Sequence, residues 1–414
     1  MAVRVCLGLQ DVCCTRSPLM SRPYIAVFGR RNSGKSSLIN ALTGQQVAIV
    51  SDVPGTTTDP VKKVMELGGV GPVVWIDTAG IDDEGVLGAQ RVARTRSVIT
   101  EADLALLLFT DNNVGIYERQ LLAEFEEAAL PLILVHNKSD IAPIDPGVAL
   151  ELSEKYAKDV CECSAVSGEG TSFLLQLIQK NLHALAPQKN SLLGKITSKH
   201  QTVVLVCPLD SEAPEGRLIL PQVQTIRDIL DHEAIAVVLT DASLSAYMAK
   251  QLPVDLVITD SQLFGRVEQE VPSHIPLTSF SVLLAHYKGL FPQFLAGTPV
   301  LGRLQDGDKV LILESCTHHA SCEDIGRVKL PNRIRSFTGK KICFEVVAGL
   351  DPLPERLDIF ALVIQCGGCM VTQRQLKARI AAVLAQGVPV SNYGMALAYM
   401  SGIFERAVAP FCNE

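Results

Sequence analysis

The stretch that decides the fold of the first part of the chain is Tyr24-Ile-Ala-Val-Phe28 followed by Gly29-Arg-Arg-Asn-Ser-Gly34-Lys35-Ser36. Its apolar part predicts a buried strand, and its second part has the G-x-x-x-x-G-K-[ST] spacing of a phosphate-binding loop. The amphipathic run from Ser37 to Leu42 predicts a helix whose N-terminal N–H groups suit phosphate. This order predicts a P-loop nucleotide-binding domain.

Two elements are expected to hold the phosphates and Mg²⁺. In the loop, glycines let backbone N–H groups wrap the α- and β-phosphates, Lys35 reaches the β- and γ-phosphates, and Ser36 ligates Mg²⁺. A second predicted strand, Val73 to Asp77, runs into the motif Asp-Thr-Ala-Gly. Asp77 can hold Mg²⁺ through water, and the Gly80 N–H can sense the γ-phosphate.

Two later motifs predict the base. A third apolar strand, Leu132 to His136, runs into Asn137-Lys138-Ser139-Asp140. A carboxylate such as Asp140 accepts two N–H bonds from guanine N1 and N2, a pattern that adenine cannot supply. Ser164 and Ala165, after another short apolar run, predict the last loop around the base. The four motifs in this order predict that GTP and GDP are the ligands.

The segment Asp52-Val-Pro-Gly55-Thr56-Thr57-Thr58-Asp59 lies between the phosphate loop and Asp77. Together with Asn32 in the loop, it resembles the TrmE/Era branch of the translation-factor-type GTPases. The resemblance implies that Thr57 is the switch threonine that closes over Mg²⁺, with Thr56 as the register alternative. It also implies that Asn32 helps to bind an activating K⁺ near the phosphates.

Hydrolysis of GTP to GDP and phosphate is expected to be slow. Ile81 follows Gly80, so no glutamine stands there to orient the attacking water, and K⁺ with G-domain pairing would have to supply positive charge. The predicted catalytic residues are Lys35, Thr57, Asp77 and Gly80. The predicted GTP-binding residues are Gly29, Asn32, Ser33, Gly34, Lys35, Ser36, Ser37, Thr57, Asp77, Gly80, Asn137, Lys138, Asp140, Ser164 and Ala165.

The remaining chain predicts further α/β domains. With 414 residues, 48% hydrophobic and 20% charged, the chain suits two or three globular domains. Beyond residue 190, apolar strands alternate with helical patterns, which predicts two smaller α/β domains with largely parallel sheets. The predicted units are an N-terminal tail (1–21), a GTPase domain (22–186), a dimerisation domain without a catalytic constellation (191–271) and a cysteine-bearing domain (272–414).

Three cysteines in the last quarter stand where predicted strands end. Cys316-Thr-His318 follows one strand, and Cys366-Gly-Gly-Cys369 follows another and leads into a helix. Ligands sit beyond the carboxyl ends of the strands in open α/β sheets, so the fold could bring both groups together. Three cysteines and a histidine would satisfy structural zinc, and three cysteines with one loosely held position suit a 4Fe–4S cluster.

The order of GTPase, small α/β domain, C-x-H and C-x-x-C resembles the HydF family of FeFe-hydrogenase maturation GTPases, from about residue 22 to the end. The resemblance implies a scaffold that receives a di-iron subcluster precursor and hands it to an apo-hydrogenase. It implies Cys316, Cys366 and Cys369 as the 4Fe–4S thiolates, with His318 as a possible fourth ligand. Many members have His before C-x-x-C where this chain has Gln365, so His319, Cys322 or an exogenous group are alternatives.

The same resemblance implies a homodimer or higher oligomer whose partners are the radical-SAM maturases HydE and HydG and the apo FeFe-hydrogenase. Twelve cysteines beside a nucleotide-binding domain favour a reducing cytosol, so we expect a cytoplasmic protein. No apolar run approaches the length of a membrane span. Residues 191–414, with 20 basic and 22 acidic side chains, do not favour nucleic-acid binding.

Two other functions stay open from the residues. The first domain alone would favour an RNA-modification or ribosome-assembly GTPase. A GTPase with a structural Cys3His zinc domain is the other alternative.

Overall fold

The structure is a computed structural model that describes residues 22–44, 61–68, 70–82, 85–156, 160–185, 191–208, 218–315 and 325–412. It contains three sheets of mostly parallel strands with helices between them, which confirms the predicted α/β fold class. The following predicted features lie outside the described residues: the N-terminal tail, Thr56, Thr57, Cys316, His318, His319 and Cys322.

The first sheet carries the nucleotide motifs. Its strands are β1 (Tyr24–Gly29), β2 (Val61–Leu67), β3 (Gly71–Asp77), β4 (Leu104–Phe109), β5 (Leu132–His136) and β6 (Val160–Glu162). Its helices are α1 (Lys35–Thr43), α2 (Gly85–Glu101), α3 (Ile116–Glu127), α4 (Pro146–Tyr156) and α5 (Thr171–Leu185). The strand order is β2-β3-β1-β4-β5-β6, and all neighbours are parallel except the pair β2 and β3.

Burial on both faces explains the unbroken apolar runs of the central strands. Successive side chains of a strand point to opposite faces, so Ile25 and Val27 join one core and Ala26 and Phe28 the other. Because β1, β3, β4 and β5 run parallel, the carboxyl ends of β1, β3 and β5 meet at one edge of the sheet, where the motifs follow.

The second sheet is smaller and parallel. Its strands are β7 (Thr202–Val206), β8 (Ile235–Leu239), β9 (Leu256–Thr259) and β10 (Leu277–Ser279), and its helices are α6 (Leu220–Asp231), α7 (Asp241–Met248) and α8 (Phe264–Glu270). The strand order is β10-β9-β7-β8. Strand β10 lies beyond residue 271, where the sequence predicts the domain boundary, yet it pairs with β9. The second sheet thus extends to Ser279.

The third sheet, also parallel, carries the C-x-x-C motif. Its strands are β11 (Lys309–Leu313), β12 (Cys343–Val347), β13 (Leu362–Gln365) and β14 (Val390–Asn392), in the order β12-β11-β13-β14. The helices from here on are α9 (Phe280–Tyr287), α10 (Phe291–Gly297), α11 (Leu330–Thr338), α12 (Gln373–Ala385), α13 (Tyr393–Met400) and α14 (Phe404–Cys412). One apolar core, from Leu192 to Phe411, joins the second and third sheets.

Close packing of α10 on β14 yields a stability test. A Cβ at Gly297 would lie 2.0 Å from the Val390 carbonyl oxygen, whereas a Cβ at Gly265 in α8 would meet nothing within 4 Å. We expect Gly297→Ala to lower the free energy of unfolding by about 1–3 kcal/mol through overpacking. Gly265→Ala should be neutral or stabilise by about 0.5–1 kcal/mol. Equal denaturant midpoints for the two variants would contradict this account of the packing.

Candidate functional site

The phosphate loop needs its glycines because a backbone carbonyl and a side-chain amide approach it closely. Gly29 has φ 152° and Gly34 has φ 88°, values that side chains rarely tolerate. A Cβ on Gly29 would lie 2.6 Å from the Leu108 carbonyl oxygen, and one on Gly34 would lie 2.4 Å from Asn137 Nδ2. Asn32 also adopts a left-handed conformation, with φ 58°. The loop is thus held in a turn that presents backbone N–H groups ahead of α1.

Lys35, Ser36 and Asp77 converge at the start of α1. The buried Lys35 ammonium donates to the carbonyl oxygens of Gly29 at 2.9 Å and Arg30 at 2.7 Å. Ser36 Oγ donates to Asp77 Oδ2 at 2.5 Å.

The other oxygen of that carboxylate is left without a partner. Asp77 Oδ1 is buried and has no hydrogen bond, and burial raises the pKa of Asp77 against the opposing effects of Ser36 and Lys35. An orphaned carboxylate oxygen beside a hydroxyl is a donor set that fits Mg²⁺. Ser36 and Asp77 are therefore the described residues that could hold this ion.

Asn137 connects the phosphate loop to the base loops. Its side chain is 1% exposed, donates from Nδ2 to the Ser33 carbonyl oxygen at 2.8 Å, and accepts from the Ala165 N–H at 3.2 Å. Ser164 Oγ accepts the N–H groups of residues 166 and 167, so its side chain shapes its own turn. Lys138 is half-buried with φ 65°, and Asp140 is exposed at the mouth of the site.

Gly80 lies against the phosphate loop. A Cβ there would lie 2.4 Å from Arg31 Cγ, so the close approach requires glycine. The next residue, Ile81, donates its N–H to the Gly29 carbonyl oxygen at 3.4 Å. The backbone N–H of Arg31 donates to Asp82 Oδ1 at 2.7 Å. Contacts of the loop with residues 80–82 therefore tie it to the chain that leads into α2.

Sequence reasoning missed the residues that brace this loop. Arg30 makes two hydrogen bonds of 2.7 Å to the buried Glu118 carboxylate in α3, and this pairing raises the pKa of Arg30. Glu118 also accepts the N–H of Gly115 at 2.9 Å. The partners lie 88 residues apart, and no local pattern marks either of them.

At the third sheet, Cys366 lies directly beyond β13 and is surrounded by donors. Its Sγ accepts the Ser315 N–H at 3.1 Å and Gln365 Nε2 at 3.3 Å, and lies 3.2 Å from Ser315 Oγ. Ser315 follows β11 and precedes Cys316, which is outside the described residues. Hydrogen bonds to sulfur stabilise a thiolate, so this setting fits a metal-bound cysteine.

Cys369 lies at the other end of a tight turn. Gly368 has φ 70°, which lets the backbone reverse between the two cysteines. Burial raises the pKa of Cys369 to about 11. The seven cysteines within the described ranges are free thiols: Cys161, Cys163, Cys207, Cys343, Cys366, Cys369 and Cys412.

Gln365, which stands where many members of the resembled family have histidine, donates a hydrogen bond to the Cys366 sulfur. Its side chain is 1% exposed and donates from Nε2 to the Leu313 carbonyl oxygen at 3.1 Å and to Ser315 Oγ at 2.9 Å. Its Oε1 is buried without a hydrogen-bond partner. No signal in the sequence marks Ser315, and Gln365 stands out in the sequence only as a departure from a family pattern.

Two kinds of feature are absent from the described part of the chain. Among those residues, no group of three or more His, Cys, Asp or Glu side chains is arranged to hold a metal. Likewise, none of the described helices has both the length and the apolar character that crossing a membrane requires.

Three family models match the chain. A model described as 50S ribosome-binding GTPase matches residues 24–138. The Hydrogen maturase F dimerization domain matches residues 192–289, and the Hydrogen maturase F tetramerization domain matches residues 292–410. The two hydrogen maturase F models together match more than half of the chain.

Curated relatives and solved structures are similar over smaller parts. The tRNA modification GTPase MnmE of Nitrosomonas europaea is 40% identical over 159 residues, 38% of this chain and 34% of that protein. Its counterpart in Nitrosospira multiformis is 41% identical over 37% of this chain and 33% of that protein. The chain thus spans about a third of the length of these relatives. A crystal structure of Era with MgGDPNP and 16S ribosomal RNA nucleotides covers 53% of this chain and 93% of its own, at 20% identity and TM-score 0.36.

Base recognition can be tested at Asp140. We expect Asp140→Asn to weaken GTP and GDP binding about 100-fold, because an acceptor for two N–H groups is lost, and to shift preference toward xanthine nucleotides. Asp111→Asn, another exposed aspartate beyond a strand of the same sheet, is the matched control and should bind GDP normally. Direct titration with GDP, XDP and ADP measures this, and comparable affinity of the unaltered protein for adenine nucleotides would refute the assignment.

Proposed function

The chain belongs to the HydF family of hydrogen maturases, GTPases of TrmE/Era type, and on this premise we propose that it is a scaffold in FeFe-hydrogenase maturation. It binds and hydrolyses GTP, binds a 4Fe–4S cluster, and delivers a di-iron subcluster precursor to apo-hydrogenase. The observation that carries the cluster assignment is the contact of Ser315 with Cys366, because it joins the ends of the two strands that precede Cys316 and Cys366.

Cys316, Cys366 and Cys369 would hold the cluster. When bound, the cluster would supply iron to which a ligand of the di-iron cargo could bind. Ser315 and Gln365 donate hydrogen bonds to Cys366 and would stabilise the charge of its thiolate. His318 remains the proposed occupant of the fourth position, with His319, Cys322 or an exogenous group as alternatives.

The Nε2 atom of Gln365 cannot take the place of a histidine nitrogen as a ligand. Its Nε2 is already engaged with Leu313, Ser315 and Cys366, all of which hold it as a donor. A carboxamide nitrogen that donates hydrogen bonds has no lone pair for iron. In this chain, the Nε2 of residue 365 therefore acts on the sulfur of the cysteine, and Oε1, which is buried without a hydrogen-bond partner, is the atom of this side chain that could face a metal.

The matches to dimerization and tetramerization domains support homo-oligomerisation. The exposed edge of the second sheet is a surface where two copies could pair. Edge strand β8 exposes Ile235 by 53% and Val238 by 43%, and the neighbouring α6 exposes Leu230 by 58%. Apolar side chains on an unpaired strand edge favour pairing with a second copy. HydE, HydG and apo-hydrogenase as partners, and a cytoplasmic location, belong to the proposal through the family.

Two alternatives make different predictions. A structural Cys3His zinc site would use the same cysteines but give a colourless protein, whereas an iron–sulfur protein is brown. An RNA-modification or ribosome-assembly GTPase is favoured by the MnmE likeness, which spans 38% of the chain. The maturase models match the second half instead, so co-purification of nucleic acid is not expected.

The cluster site can be tested by replacing its thiols. Cys366→Ser and Cys369→Ser should each reduce iron from about four atoms per protomer to less than about one after anaerobic reconstitution, because three thiolates are the minimum for the cluster. GTP turnover should persist, since both cysteines lie at the third sheet and the nucleotide motifs lie at the first. Iron content, electron paramagnetic resonance of the reduced protein and in vitro hydrogenase activation are the measurements.

The matched controls for that experiment are Cys343→Ser and Cys412→Ser, which replace exposed thiols of the same domain and should retain iron. Full iron retention in either the Cys366 or the Cys369 variant would refute the site. Hydrogenase activation by a protein without iron would refute the function.

Potassium dependence tests the proposed mechanism of hydrolysis. Replacing Na⁺ by K⁺ at equal ionic strength should raise GTP turnover by roughly tenfold or more, because a cation near Asn32 would stabilise transition-state charge. Asn32→Gly keeps the left-handed backbone found at φ 58° but removes the amide oxygen, so it should abolish the difference. Equal turnover in the two salts would remove the case for a potassium site.

A further inference from the structure

The start of α12, four residues after Cys369, is bound to the GTPase domain. The Arg374 guanidinium donates from Nη1 to the carbonyl oxygens of Ile99 at 3.1 Å and of Ala102, and from Nη2 to that of Ala128 at 2.8 Å. These carbonyls lie at the C-terminal ends of α2 and α3. Unsatisfied carbonyls at helix ends carry partial negative charge, so a planar cation between two of them is well placed.

Two neighbours of Arg374 strengthen the same junction. Gln375 Nε2 donates to the carbonyl oxygen of Glu101 at 2.6 Å, and Glu101 is the last residue of α2. Thr372 Oγ1 donates to Asp103 Oδ1 at 2.6 Å, and Asp103 Oδ2 accepts the N–H of Tyr24 at 2.8 Å. Tyr24 begins β1, the strand that ends in the phosphate loop. The junction therefore contacts both the end of α2 and the start of β1.

The elements on either side of the junction lead to the two sites. Helix α2 begins five residues after Gly80, and its 17 residues span about 25 Å as a stiff rod. Because the helix is stiff, a displacement at its start would reach its C-terminal carbonyls with little loss. Helix α12 is a second stiff rod, and Met370, Val371 and Thr372 join its N-terminal end to the Cys366–Cys369 turn.

A second anchor holds the short link between Cys369 and α12 from the opposite side. Lys288, at the end of α9, is 2% exposed and donates from Nζ to the Val371 carbonyl oxygen at 2.7 Å. Gln373 Nε2 returns a hydrogen bond to the Lys288 carbonyl oxygen at 3.1 Å. Because Lys288 holds the link at Val371 and the carbonyls of α2 and α3 hold it at Arg374, movement of α2 would strain the segment from Val371 to Arg374, which begins two residues after Cys369.

We propose that Arg374 is a positioning residue that couples the nucleotide state of the GTPase domain to the geometry of the Cys366–Cys369 turn, through the C-terminal carbonyls of α2. The inference rests on the proposed function, in which these cysteines hold the cluster. It adds the route between the two sites: Gly80, helix α2, Arg374 and the turn.

Coupling of this kind is reciprocal, which makes it measurable from both ends. If the nucleotide changes the cysteine turn, then metal on the cysteines must change nucleotide affinity by the same factor. Typical couplings are about 5–150-fold. The ratio of dissociation constants for GDP and a non-hydrolysable GTP analogue should therefore differ at least about fivefold between the cluster-loaded and cluster-free full-length protein.

The test variant is Arg374→Gln, and the matched control is Arg356→Gln. Arg356 is an exposed arginine of the same domain whose ion pair, to Asp358, is local. In Arg374→Gln the fivefold difference should fall to about one, while Arg356→Gln should keep it. Arg374→Lys retains the charge but loses the planar fork, so its ratio should be intermediate. The lysine variant also preserves the test if Arg374→Gln does not fold.

A second readout needs no cluster. In the cluster-free protein, alkylation rates of Cys366 and Cys369, followed by peptide mass spectrometry, should differ between the GDP and GTP-analogue states. The difference should vanish in Arg374→Gln and persist in Arg356→Gln. Unchanged rates in the unaltered protein, or an Arg374→Gln variant that keeps the full difference, would overturn the coupling. Failure of the unaltered protein to take up iron would instead overturn the proposed cluster, and the alkylation rates would still report on the junction.

Discussion

Parallel pairing of β11 with β13 in one register is the constraint on which the cysteine site depends. The register puts Leu313 opposite Gln365, so the residues that follow both strands emerge side by side at the carboxyl edge. Ser315 thereby comes within hydrogen-bond distance of Cys366, although the two residues are 51 positions apart. A slip of β13 by one residue would turn each of its side chains to the other face of the sheet and would move Cys366 away from the Ser315 donor.

The same constraint organises the nucleotide site. Parallel pairs β1 with β3 and β1 with β4 bring Asp77 and the phosphate loop to one edge, where Ser36 and Asp77 meet at 2.5 Å. Close approach then selects the residue types, since a Cβ at Gly34 would collide with Asn137. Both candidate sites thus follow from buried parallel strands whose apolar runs are readable in the sequence.

The features that could be predicted from the sequence are those that form local patterns. The strands, the motifs at their ends and the C-x-x-C turn are local patterns, and the fold class follows from their alternation. The contact of Arg30 with Glu118 joins residues 88 positions apart, and the contact of Arg374 with Ile99 joins residues 275 positions apart. Such partners cannot be predicted because nothing in the local sequence of a polar helix residue indicates them. The place of strand β10 in the second sheet is not predictable from the sequence, because its three residues are too few to show a strand pattern.

The two kinds of domain contact differ physically, and this difference separates rigid from movable parts. One apolar core joins the second and third sheets, and opening it would expose large hydrophobic surface. The GTPase domain has its own cores and meets α12 through buried polar groups, where burial raises the pKa of Asp103 to about 6 and lowers that of Arg374. Polar contacts of this kind contribute modest net stability because water can replace each of them. The coupling proposed for Arg374 needs a movement of the GTPase domain relative to the other two sheets. At α12, such a movement would rearrange hydrogen bonds rather than open an apolar core.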